Sequence, residues 1–446
     1  MANRSSLPRA SFAETAGFLS SVVLPLLGKG VILRRPPVVA MAQRLELDRR
    51  AVETVQGLRE RHGDGPLLLP VPGHPYALIL SPSHVSRVLE LSPQPYAAAS
   101  DEKRASLSHF EPHGVLVSDD KARQARRPYN EAILDEPCPM HRLAERFLAV
   151  VEDEALELTD AADYFTELNW DRFAVGWWRM ARRVVLGEGA RDDHKVTDLL
   201  ARLRADANWA FLFPRRRWLH ARFLERLDEH LRRAEPGSLA AVIRETPAAK
   251  GTDPLGQVPQ WLFALDGLAR ATFRTLALLG THASIRARAE AEIQGSGPRE
   301  LPFLRACVLD TLRLWPTTPV ILRQAQRDVE WEAGTLRKGT GIIIFSPFFH
   351  RDETRLPQAH RFAPEEWLEG RPEDQGLVPF SDGAVRCPGR HISLMLSSMM
   401  LAALLRRRAF VPVGMEGIGP QDRMPGTFSP FALRMRPEAP PSLPRA

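Results

Sequence analysis

The chain lacks most of what would support work by disulfides, membrane insertion or nucleic-acid binding. Its 446 residues hold three cysteines, Cys138, Cys307 and Cys387. They follow no pairing pattern, which excludes a disulfide framework and points to a reducing, cytoplasmic setting. Lysine is scarce: six of the 60 basic residues, the other 54 being arginine. These bases lie among 54 acids, for a net charge of +6, and form no aromatic-basic array. Nucleic-acid recognition is therefore not expected. The arginine bias reads as the composition of a GC-rich bacterial genome. The apolar stretch Gly17 to Leu27 is eleven residues long and contains Pro25, too short to span a bilayer. Lys29, Arg34, Arg35 and two prolines come next, which is not the layout of a signal peptide. Residues 1–44 are expected as an amphipathic lead segment lying on the protein, with no stable membrane insertion. No Gly/Ser-rich linker, low-complexity run or internal repeat divides the rest. A hydrophobic content of 44% is enough for one large core, so residues 45–446 are expected as a single, monomeric domain.

What is present is mostly helical patterning. Helical spacing is clear over Leu47–His62, His141–Thr159 and Trp170–Leu186. It is equally clear over Gln260 to about Ile293 and over Phe303–Trp315. Two short apolar runs, Pro66–Val71 and Tyr76–Leu80, flank Pro72-Gly73-His74-Pro75 and read as a hairpin. Short strands fit Ile321–Gln324, Val329–Ala333 and Ile342–Phe345. Residues Glu235–Pro259 are polar and rich in Pro and Gly, a surface connection. The last helix runs to about Arg408, and its stretch Ile392–Leu405 is apolar on nearly every face, so it is expected to be buried.

One loop carries chemistry. Phe380-Ser381-Asp382-Gly383-Ala384-Val385-Arg386-Cys387-Pro388-Gly389 presents a lone cysteine on a glycine-bracketed turn running into the last helix. Pro388 suits a first helical position. A helix N-terminus favours thiolate over thiol. Gly383 and Gly389 leave room for a flat group to approach the backbone. One thiolate offered in this way suits an axial position on a haem iron better than zinc, which wants four ligands.

The loop resembles the haem-binding loop of the cytochrome P450 family. Phe380, Gly383, Cys387 and Gly389 stand where that loop has its aromatic residue, its glycine, its iron ligand and the glycine after it. Val385 stands where the family usually has a propionate-holding Arg or His, and the neighbouring Arg386 is the expected substitute. Leu309-Asp310-Thr311-Leu312-Arg313-Leu314-Trp315-Pro316 resembles the family's Glu-x-x-Arg helix motif, with Asp310 for the acid. The third partner of that motif would come from Phe362 to Trp367. Glu366 stands in its place, leaving Arg361 or Arg371 to fill the role. Leu265 to Thr272 resembles the oxygen-activating helix, with Thr272 as the alcohol, Ala269 for a glycine and Ala271 for the acid. If Thr272 faces the haem, helical spacing turns Arg270 away from it, and Asp266 four residues earlier becomes its expected partner. Among the arginines, Arg126 (with Arg127 as alternate), Arg323 and Arg386 are the expected propionate contacts.

The resemblance implies a mostly α, α+β fold, a large helical region with a small β-rich one. It implies haem b as cofactor and Cys387 as its iron ligand. It implies a soluble monooxygenase that inserts oxygen from O2 into a small apolar molecule, expected to be one of secondary metabolism. Electrons would come from NAD(P)H through a ferredoxin and its reductase. An arginine-rich patch near the haem could receive that acidic donor. Ala271 keeps a peroxide-using or O2-independent haem-thiolate enzyme open as the alternative. A haem-based sensor or carrier is the non-enzyme reading.

Overall fold

Where helical spacing is strong in the sequence, helix forms. Leu47–His62 and Trp170–Leu186 are helices over those bounds. Ala144–Tyr164, Pro302–Leu314 and Arg390–Arg407 fall within a few residues of expectation. A computed structural model describes residues 7–164, 166–295, 300–369 and 372–439. The long helix expected to reach Ile293 instead breaks at His282, giving Val258–Thr281 and Ala283–Gly295. His282 leaves helical geometry (φ −112°, ψ 82°). Its ring nitrogen lies 3.0 Å from the Leu278 carbonyl, beside its own backbone N–H. Gly280 stands two residues before the break, where a Cβ would meet the Phe410 carbonyl oxygen at 2.2 Å.

Five helices, Ala144–Tyr164, Trp170–Leu186, Val258–Thr281, Pro302–Leu314 and Arg390–Arg407, supply most of one large apolar core. The stretch Ile392–Leu405 of the last helix is wholly buried, as its composition required. At its end Arg406 and Arg407 both pair with Glu152 of the neighbouring helix Ala144–Tyr164. These cations therefore tie two helices together as well as opposing a dipole.

The β-rich region is a five-stranded sheet. Leu67–Leu69 and Tyr76–Leu78 form the expected hairpin. Gly341–Phe345 lies parallel to the second of these and antiparallel to Val320–Ala325. Tyr96–Ala97 completes the far edge. Gly341 is required at its place: a Cβ there would come within 2.5 Å of the Tyr76 ring. The N-terminal segment packs on this sheet's apolar cluster. It runs as Phe12–Phe18, a single π-helical turn Leu19–Val23, then Leu24–Lys29. Phe18, Val22 and Leu26 are buried in the cluster, while Phe12 and Leu24 face out. Among the described residues no helix is long and apolar enough to cross a membrane.

The cysteine loop lies where the two cores meet. Val378 belongs to the sheet cluster, and Phe380, two residues on, packs against the helical one.

Candidate functional site

Local hydrogen bonds fold the loop around Cys387. The Cys387 N–H donates to the Phe380 carbonyl at 2.9 Å, and the Arg386 N–H to Gly383 at 3.0 Å. Gly383 has φ +65°, and a Cβ there would meet the Leu89 carbonyl oxygen at 2.3 Å. The glycine is thus fixed by the helix Pro82–Glu90 and by its own backbone conformation. That corrects the expectation that it makes room for a flat group. Gly389 does leave such room: its missing Cβ would lie 3.9 Å from Cys387 Sγ, in open contact. The helix begins at Arg390 with Gly389 as its cap. Pro388 therefore lies in the turn before it and not at the first helical position. Cys387 is half-buried. Burial pushes its thiol up, and the Gly389 amide and the Arg127 guanidinium pull it back down.

Buried cations gather beside this loop. Arg323 donates to Ser381 Oγ of the loop (3.1 Å), to Ser92 Oγ (3.0 Å) and to the Leu322 carbonyl (2.9 Å). Lys103 donates to that same Leu322 carbonyl (2.9 Å) and to Ala98 (2.8 Å). Arg123 reaches the loop at the Ala384 carbonyl (3.4 Å). Among the described residues none of the three has a carboxylate within ion-pairing distance. Burial lowers Arg323 to about 9, with Arg123 lowering it further, and Lys103 falls well below its ordinary value for the same reasons. A second cavity of about 270 Å³, lined by Arg123, Ser118 and Ala97–Ala99, opens next to them.

The other expected propionate contacts lie elsewhere. Arg126 donates to Ser118 Oγ (2.9 Å) and the Gly251 carbonyl (3.3 Å), away from the loop. Arg127 bonds Glu131 and the Arg386 carbonyl. The Arg386 guanidinium faces Glu136 at 3.4 Å. On the helix Asp120–Leu134 two arginines reach the loop, Arg123 at the Ala384 carbonyl and Arg127, the alternate of the motif reading, at the Arg386 carbonyl. Lys103 and Arg123 had no motif to mark them.

Asp310 and Arg313 form the expected fork, Nε to Oδ1 at 2.6 Å and Nη2 to Oδ2 at 3.1 Å. Arg313 also donates to the carbonyls of His350, Ala359 and Arg361. The shorter acid is completed by Trp367 Nε1 (3.0 Å) and the Ala363 N–H (2.8 Å). The third partner is thus an indole and an amide, not a second guanidinium. The Arg361 side chain is exposed, and Arg371 lies outside the described residues.

The long helix Val258–Thr281 carries Thr272 and Arg270 in different surroundings. Thr272 is fully buried, its hydroxyl 2.9 Å from Ser397 Oγ on the cysteine helix and 2.9 Å from the Leu268 carbonyl. It lines neither cavity. Arg270 makes the expected pair with Asp266 (2.6 Å), yet lines a cavity of about 660 Å³. A Cβ on Gly267, a turn earlier, would meet Thr317 at 3.4 Å. The sequence reading put Thr272 and Arg270 on different faces of this helix, and did not mark Arg270 as a cavity residue. It also passed over Glu111, a fully buried carboxyl with no hydrogen-bond partner among the described residues. Burial raises Glu111 to about 8, and only Arg204 opposes this.

The helical core and the small sheet together place one cysteine on a loop flanked by buried cations that have no carboxylate partner among the described residues. Residues 268–430 match the family model "Cytochrome P450". The cytochrome P450DA heme domain superposes with a TM-score of 0.71 at 17% identity, covering 90% of this chain and 94% of that one. The retinoic acid-bound cyanobacterial CYP120A1 gives 0.69 at 15%, covering 86% and 93%. Among curated proteins, cyclooctat-9-en-7-ol 5-monooxygenase of Streptomyces melanosporofaciens is 29% identical over 218 residues, 44% of this chain and 48% of that protein. Probable cytochrome P450 4s3 of Drosophila melanogaster is 29% identical over 167 residues, 36% and 34%. The chain thus spans less than half the length of these curated relatives. The likeness to the cytochrome P450 family thus covers residues 268–430 in sequence and most of the chain in fold.

Members of this family hold haem b on a cysteine thiolate. The residues present fit that group. Cys387 offers a single accessible sulfur, Gly389 leaves its face uncovered, and Arg323, Lys103 and Arg123 lack the anions that two propionates would supply. Iron would hold the thiol deprotonated against the upward push of burial.

Proposed function

We propose that the protein is a haem-thiolate monooxygenase acting on a small, largely apolar molecule. Electrons would come from NAD(P)H through a ferredoxin-type donor. The observation that carries this reading is the accessible Cys387 sulfur beside three deep cations without carboxylate partners. Haem b, when bound, supplies the reductive activation of dioxygen, and a thiolate ligand favours O–O cleavage.

The chain's own residues do the rest. Cys387 ligates the iron, and the Phe380 carbonyl and Gly389 amide fix the loop that carries it. Arg323, Lys103 and Arg123 would hold the propionates of the bound haem. The buried helices exclude water. Protons cannot pass through an acid–alcohol pair at 271 and 272, because Ala271 has no acid and the Thr272 hydroxyl is engaged with Ser397. Water or the substrate then delivers them. The same observation favours a second reading in which peroxide, bringing its own protons and electrons, is the oxidant.

The test is spectroscopic first. Reduced protein under carbon monoxide should show the red-shifted Soret band of a thiolate-ligated haem, and Cys387→Ala should abolish it. A histidine-type spectrum in the natural protein would overturn the proposal. Turnover with NAD(P)H, ferredoxin and reductase, run beside turnover with peroxide, then separates the two oxidants.

A further inference from the structure

The 660 Å³ cavity holds cations that the haem does not account for. It lies between the segment from Lys29 to Gln56, the long helix, the turn Trp315–Pro319 and residues 413–434, and none of its lining residues belongs to the cysteine loop. Its rim is ordinary surface. Arg49 pairs with Glu46 and Glu53, and Arg423 with Glu353. Its deep end differs. Lys29 is matched by Asp48, which also accepts from Thr427. Arg351 directs its donors to the Leu314, Met424 and Pro425 carbonyls. Asp266 is shared between Arg270 and Arg204.

Arg34 and Arg274 are left over. Arg34 donates only to the Gly30 and Thr317 carbonyls, and Arg274 only to Phe428 through Nε (2.7 Å). No carboxylate lies within ion-pairing distance of either among the described residues. Burial lowers both guanidiniums, Arg34 to about 10 and Arg274 to about 9, and Arg270 is the next cause for each. Both side chains are half-buried, and Asp48 acts on each of them without bonding either. With Arg270 they put three guanidiniums on one cavity beside two acids, Asp48 and Asp266, that are already engaged by Lys29, Arg204 and Arg270, an arrangement that suits an anion. Apolar side chains line the same cavity, with the Trp315 ring 6.0 Å from the Arg274 guanidinium and Phe428, Phe431 and Leu433 beside it.

We propose that this cavity binds an amphipathic carboxylate, its carboxyl on Arg34 and Arg274 beside Arg270, its apolar body along Trp315 and Phe428. The inference rests on the monooxygenase reading for its consequence, that the substrate is an acid and not a neutral hydrocarbon. Binding itself does not depend on that reading. An arginine fork suits a carboxylate bidentately.

The experiment is calorimetry on the haem-loaded protein with dodecanoate, its methyl ester and inorganic phosphate. Dodecanoate should bind at least tenfold more tightly than the ester, and phosphate only weakly. Arg274→Met and Arg34→Met should each weaken dodecanoate about tenfold and leave the ester unchanged, while Arg274→Lys keeps part of the preference. Removing a cation that bonds no acid should leave the ligand-free Tm of Arg274→Met equal to or above that of the natural protein, which separates lost recognition from misfolding. Equal affinity for acid and ester overturns the proposal. So does tight phosphate binding without any preference for the acid, which would mark a free-anion site. The carbon monoxide spectrum of the same sample keeps the two readings apart. A thiolate band without acid preference sinks this inference alone. Acid preference without the band sinks only the haem-thiolate reading.

Discussion

The hydroxyl of Thr272 lies 2.9 Å from that of Ser397, ten residues beyond the cysteine on the helix it leads into. The contact is closed on all sides, so Thr272 joins two helices. Thr272→Val should lower stability by about 1–2 kcal/mol, because it strands a buried hydroxyl. It should leave the ratio of product to NAD(P)H consumed unchanged. A variant that released peroxide in place of product would return Thr272 to the proton path.

Arg313 gathers Asp310 and three backbone carbonyls around one guanidinium. Arg313→Ala should cost about 3–5 kcal/mol by leaving a buried carboxylate unpaired. Haem-free or aggregated protein is the expected product. Arg313→Lys should rescue little, since a point charge cannot reach the fork and the carbonyls together. Soluble, haem-loaded Arg313→Ala with altered kinetics would contradict a structural role.

Lys103 and Arg323 donate to one carbonyl with no acid between them. Lys103→Met should therefore speed haem loss to apomyoglobin several-fold while leaving the haem-free form as stable as before or more so. Unchanged haem retention would remove Lys103 from the cofactor site.

Two buried groups tilt stability with pH in opposite directions. Burial raises Glu111 from 4.5 to about 8, so the folded state holds its proton more tightly. Stability is then greatest below pH 4.5 on this account and falls as pH rises toward 8. Burial, helped by Arg313, lowers His350 from 6.5 to about 3. Its contribution is full above pH 6.5 and is lost as pH falls toward 3. A maximum between about pH 5 and 6 is expected from the pair. Glu111→Gln should raise Tm at pH 8 by at least about 3 °C and flatten the alkaline limb. An unchanged melting profile across pH 5–8 would show that the Glu111 carboxyl is not held in this way.

Much of this was legible before any coordinates. Phe380, Gly383, Cys387 and Gly389 announce the loop because their spacing is rigid, and helical periodicity marks Leu47–His62 and Trp170–Leu186. The long helix was harder to read because it is buried over most of its surface. With so few exposed positions, composition does not distinguish its faces, and the contact of Thr272 with Ser397 has no sequence signal. Lys103, Arg123 and Arg34 were illegible for another reason. Their role comes from the absence of acids around them in space, and sequence neighbours such as Glu102 and Asp120 hide that absence.

The two groups of unpaired guanidinium and ammonium also bear on the life of the chain in the cell. Newly made protein carries these positive charges inside, with fewer acids than cations around them. It is therefore strained until something negative arrives. A copy that never meets its prosthetic group opens more readily, and an open chain is what proteases cut. Abundance in the cell would then follow haem supply without any dedicated sensor.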